Sequence, residues 1–172
     1  MTSVFSNFRI KLYNFGPVAL LYFFSISELD TEFSNLFEIL SFNLQIIVIY
    51  YWQLKEPSVL GNGNIFIAGI CNDVITSLPL GLSAISYLSV SFVASYIKHV
   101  TVNISLFTDW FTFVIAIFFS NLVFLILVYN FTDFMFSYSN IFYNAFFTFI
   151  FFPFFWFVFH VYKKFMTIKK DD

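Results

Sequence analysis

The chain has 172 residues, 60% of them hydrophobic and 25% aromatic, with 8 basic and 10 acidic side chains. Soluble domains carry about 25% charged residues, against 10% here, too few to clothe a water-soluble globule of this size. A net charge of -2 with a single arginine excludes a phosphate-neutralising nucleic-acid binder. One cysteine, Cys71, excludes a disulfide framework, and His99 and His160 lie too far apart to suggest a histidine metal site.

Six apolar segments follow one another along the chain: about 12–26, 36–52, 63–77, 78–97, 106–129 and 138–162. The first follows Arg9 and Lys11 but lacks a small-x-small cleavage pattern, so it reads as a retained helix. The second ends in Tyr50-Tyr51-Trp52, which reads as an interfacial aromatic cluster. Gly61-Asn62-Gly63-Asn64, after Lys55-Glu56-Pro57, is turn chemistry and predicts a loop before the third segment. The fourth follows Ser77-Leu78-Pro79, with Ser77 expected as its N-cap and Pro79 in its first turn. The fifth and sixth are runs of Phe, Ile, Leu and Val, suited to lipid contact. The expectation is an all-α, polytopic membrane protein: one domain over 1–172, six transmembrane helices, and no room for a soluble domain.

The charges orient these spans. If the segments alternate, Arg9, Lys11, Lys55, Lys98, Lys163, Lys164, Lys169 and Lys170 fall on one side. Glu28, Asp30, Glu32, Glu38, Asp73 and Asp133 fall on or near the other. The positive-inside rule places both termini in the cytoplasm. Membrane lipid is then an expected partner, the lysine-rich C-terminal stretch adding about 1 kcal/mol of surface attraction per residue.

The stretch 50–98 holds Pro57, Pro79 and four of the five glycines. Within it, Asp73 is placed to accept hydrogen bonds from the free amides opening the fourth helix, where the helix dipole favours negative charge. A carboxylate wetted at the outer interface and an ion-handling group are the alternatives at this position. At 100° per residue, Leu80, Ser83, Ala84, Tyr87, Ser91, Ala94 and Ser95 share one sector of the fourth helix, and five of the seven are small. Small side chains let helices approach closely in lipid. The candidate structural or interaction residues are therefore Gly69, Asp73, Pro79, Gly81, Ser83, Ala84, Ser91, Ala94 and Ser95.

Chemistry-bearing constellations do not stand out. There is no nucleophile–base pairing, no paired carboxylate at helical spacing within a span and no glycine-rich phosphate loop. No enzyme, cofactor or metal is expected. Asn43, Gln45, Asn72, Asp73 and Asn121 could line a transport path only if they faced one cavity; they serve equally well as interhelical hydrogen-bonders.

Tyr51-Trp52, the Pro57 loop, Gly69-x-x-x-Asp73 and Pro79-Leu80-Gly81-Leu82 together resemble MreD, the integral membrane family of the bacterial rod-shape machinery. The likeness covers chain size, span count and about 50 residues of central pattern; outside it, Phe, Ile and Lys stand where the family favours Leu, Ala and Arg. It implies a multi-pass protein of the bacterial cytoplasmic membrane, a scaffold in cell elongation, rod shape and lateral peptidoglycan synthesis. The partners it implies are MreC, MreB, RodZ, RodA and its penicillin-binding transpeptidase. The family is similar in organisation to the six-helix substrate-binding subunits of energy-coupling-factor vitamin transporters. The alternative function is thus a substrate-binding membrane subunit for a vitamin-type small molecule.

Overall fold

A computed structural model describes residues 15–26, 43–101, 105–131 and 138–168, with side chains of the last helix described from 139 to 164. The regular elements among the described residues are all helices, with no strand. The helices are α1 (Phe15–Ile26), α2 (Leu44–Lys55), α3 (Pro57–Ile75), α4 (Leu82–Val100), α5 (Leu106–Phe131) and α6 (Tyr138–Ile168). Arg9, Lys11, the acidic residues Glu28 to Glu38, Asp133, Lys169 and Lys170 lie outside the described residues.

Among the described residues, two helices are long and apolar enough to cross a membrane. They contain 18-residue stretches of mean hydropathy 2.7 and 1.8 and run over Leu106–Phe131 and Ser139–Lys164, 26 residues each. At 1.5 Å per residue each reaches about 39 Å, more than the roughly 30 Å hydrocarbon core. Their outer faces are rows of phenylalanine: Phe107, Phe111 and Phe118 on α5, and Phe142, Phe146, Phe154 and Phe157 on α6 are all exposed.

α2 is the axis of the bundle. It has only 12 residues, ten of which are buried from Gln45 through Leu54. Burial all the way round is the signature of a central rod enclosed by its neighbours. This corrects the interfacial reading of Tyr50-Tyr51-Trp52: the three side chains are 0%, 1% and 0% exposed. Tyr50 packs its ring on Phe113 and Phe152, with centroids 4.9 and 5.7 Å away, and Trp52 meets Phe159 and Tyr162. Aromatic residues at a span's end read as an interfacial belt only if the span faces lipid, and α2 does not.

The expected loop between α2 and α3 shrinks to one residue. The Glu56 amide closes α2 on the Trp52 carbonyl at 2.7 Å, and Pro57 opens α3 at a position where a missing N–H costs nothing. Asn62, Gly63 and Asn64 are helical, and the turn chemistry is confined to Gly61, whose φ of 65° and ψ of 143° break α3. The third segment therefore begins earlier than its hydrophobic run.

α3 ends differently from expectation too. Ser77, at φ 56°, is the left-handed residue after the C-cap Thr76, and the Leu78 amide returns to the Asp73 carbonyl at 2.9 Å. That is a Schellman-type end with serine where glycine is usual. Ser77 thus terminates α3 and does not cap α4. Pro79 lies in the connection, and Gly81, at φ 104°, is the residue before Leu82 at the start of α4. Leu80, expected on the packed face, is 69% exposed because the helix starts after it.

In α6 the interior Pro153 has no amide to offer the carbonyl of Phe149. The Trp110 indole of α5 donates to that carbonyl at 3.0 Å, and the two rings stack at 5.1 Å. A helix defect becomes a helix–helix joint.

Candidate functional site

Gly69 and Asp73 sit one turn apart on the face of α3 that meets α4. A β-carbon on Gly69 would lie 2.6 Å from the Ala84 amide nitrogen, so the two backbones touch at this point. The approach brings Asp73, 0% exposed, to the open amides of α4. Its Oδ2 accepts from the Gly81 N–H at 2.7 Å and its Oδ1 from the Ser83 N–H at 2.8 Å. Alongside, the Asn72 Nδ2 donates to the Ser83 Oγ at 3.1 Å. The carboxylate thus caps a helix from a neighbouring one, satisfying amides that the left-handed Gly81 leaves without a side-chain cap. This geometry excludes the wetted alternative for Asp73.

Of the sequence-based candidates, Gly69, Asp73, Gly81, Ser83 and Ala84 meet in this clasp. Pro79 contributes only its carbonyl, which accepts from the Leu82 amide at 3.3 Å. Ser91 and Ala94 are buried farther along α4, and Ser95 is half-buried. The Ser91 hydroxyl donates to Asn62 Oδ1 at 2.8 Å, and Gln53 of α2 donates to the same oxygen at 3.1 Å. One turn-type asparagine therefore joins α2, α3 and α4. Ser86 and Ser120 pair their hydroxyls at 2.8 Å between α4 and α5.

A second polar centre lies at the opposite end of the bundle and was not singled out in the sequence. Lys55 Nζ, at the end of α2, meets Asp109 Oδ2 in the first turn of α5 at 2.5 Å. The two side chains are 11% and 3% exposed. Trp156 of α6 donates its indole N–H to the same oxygen at 2.8 Å, and the lysine lies 5.8 Å from that ring's centroid. Lys55 is therefore neutralised within the bundle and does not face lipid, unlike the exposed Lys164. The chain order gives no warning of a pair 54 positions apart; a lone acidic residue opening an apolar helix was the available signal.

At the end where Asp73 lies, a cavity of about 330 Å³ opens among α2 to α6. Asn43, Asn72 and Asn121 all line it, together with Asn140 and Asn144, which the sequence reading passed over. Asn72 is 5% exposed, and its Oδ1 has no hydrogen-bond partner. Gln45 points elsewhere, donating to the Phe24 carbonyl of α1 at 3.1 Å. Among the described residues no three His, Cys, Asp or Glu side chains gather as a metal site. Cys71 is a half-buried free thiol, and His160, exposed on α6, stacks on Trp156.

Fold and site together define an all-helical arrangement, among the described residues, in which two helices are long and apolar enough to cross a membrane and polar side chains join helices and line a cavity. Comparison with protein-family models, curated proteins and solved structures yields no match.

Proposed function

We propose that this chain is a non-enzymatic, multi-pass scaffold of a bacterial cytoplasmic membrane, with six spans and both termini inside. Its role is that of an MreD-like component of cell elongation, organising lateral peptidoglycan synthesis beside MreC, MreB, RodZ, RodA and its transpeptidase. The observation that carries this reading is the Gly69–Asp73 clasp on Gly81, Ser83 and Ala84. The residues that carry the family likeness work there as a helix-joining device, with both carboxylate oxygens engaged by backbone amides. A role in shaping an interaction surface suits such a rigid joint. The basic residues of α4 and α6, Lys98, Lys163 and Lys164, then face the cytoplasm.

Depletion in the native bacterium tests the proposal: rods should round up, and affinity-purified protein should carry a single-span partner with a large external domain. Unchanged shape on depletion rejects it. A second reading, a small-molecule-binding transporter subunit, draws support from the convergence of Asn43, Asn72 and Asn121 on one cavity. Lost uptake of a vitamin-sized compound with normal shape would select it.

A further inference from the structure

We propose that the asparagine-lined cavity binds an uncharged, polyhydroxylated ring, the size of a single sugar unit. The inference rests on the cavity and holds for a scaffold and a transporter subunit alike.

The volume, about 330 Å³, stands at the small end of ligand pockets, which run from roughly 300 to 1,000 Å³. Its polar lining is supplied from four helix ends or midpoints: Asn72 and Ser83 at the α3–α4 corner, Asn121 on α5, and Asn140 and Asn144 at the start of α6, with Asn43 before α2. No described lining residue is charged. An ionised ligand would lose its hydration there without a counter-charge from any described lining residue, which is strongly unfavourable. A primary amide presents a donor and an acceptor side by side, and neighbouring hydroxyls on a ring present the matching pair. Ile46, Phe124 and Ile141 supply apolar wall for the C–H faces of such a ring.

The open group is Asn121, half-buried on the cavity wall and without a hydrogen bond to any described residue. Its amide is free to pair with neighbouring hydroxyls of a ligand. Asn72 is held in place beside it, its amide nitrogen donating to the Ser83 Oγ at 3.1 Å. The neighbouring Asp73 does not compete, since both of its oxygens are occupied by backbone amides.

The ring has two possible sources, a free sugar or the neutral headgroup of a glycolipid, and the test separates them. The full chain in nanodiscs is examined by saturation-transfer NMR with methyl β-glucoside. In parallel, nanodiscs containing glucosyl diacylglycerol are examined by native mass spectrometry for retained lipid. Transfer to the ring protons of the free glucoside assigns a soluble ligand, and lipid retention without it assigns a headgroup; either supports the site. Asn121 carries none of the helix-joining hydrogen bonds, so Asn121→Leu, which fills the cavity, should weaken binding at least tenfold without lowering the thermal transition. Asn121→Ser, which removes the amide and adds no bulk, should do so severalfold. Glucuronate and glucosamine should bind at least tenfold more weakly than the glucoside. Absence of both glucoside transfer and lipid retention overturns the site, leaving a water-filled cavity. So does binding unaffected in both folded variants, or equal binding of the charged sugars.

Discussion

Ala84 occupies the space that a β-carbon on Gly69 would need, its amide nitrogen only 2.6 Å from that position. The contact sets how near α3 lies to α4, and so whether the Asp73 carboxylate, one turn further along, reaches the amides of Gly81 and Ser83.

Gly69→Ala should therefore push the helices apart and cost about 1–3 kcal/mol, the usual range for overpacking. Gly63, also in α3, has nothing within 4 Å of a β-carbon, so Gly63→Ala should be neutral or stabilising by about 0.4–1 kcal/mol. Thermal unfolding of the two variants in detergent reads the difference. Equal transitions would remove the close approach from the account.

Asp73→Ala leaves the buried Ser83 amide and the half-buried Gly81 amide without acceptors, at up to about 1–3 kcal/mol each. The expected result is a large drop in thermal stability and in the amount of folded protein recovered from membranes. Hydrogen exchange should show the loss concentrated at the amides of Gly81 and Ser83. A uniform increase in exchange across all helices would argue against a local cap.

Lys55 and Asp109 form a buried pair in which removing one partner strands the other. Lys55→Met or Asp109→Leu alone should destabilise by about 3–5 kcal/mol, while the double variant recovers most of the loss, as apolar replacements of buried ion pairs often do. A double-mutant cycle measures the coupling. Additive single effects would mean that the two charges do not interact.

Trp110→Phe keeps the ring stack on Phe149 but abandons the carbonyl freed by Pro153. A loss of about 1 kcal/mol is expected in the wild-type background. In a Pro153→Ala background the helix supplies its own donor to that carbonyl, and the same substitution should cost little. An identical cost in both backgrounds would sever the link between the proline and the indole.

Sidedness is open to labelling. In a Cys71→Ala background, His99→Cys, exposed at the end of α4, should react with an impermeant thiol reagent only after the membrane is opened. Tyr129→Cys, 84% exposed near the end of α5, should react in intact cells. The reverse pattern would invert the proposed orientation.

The sequence by itself determined the helical character and the apolar segments, and it offered capping of α4 as one of three readings of Asp73. These are local matters: hydrophobic runs, and a carboxylate only eight and ten positions from the amides it accepts. Where local chemistry had two solutions the reading slipped, as with Ser77, which suits a helix beginning but in the left-handed conformation ends one. The tertiary structure alone decided that α2 is central, that Lys55 meets Asp109, and that five asparagines share a cavity. The physical reason is that lipid and protein core are equally apolar. Apart from the small-residue sector of α4, a chain this rich in Phe and Ile carries no polar stripe to mark which side of a helix faces its neighbours, so elsewhere only packing distinguishes the inner face from the outer.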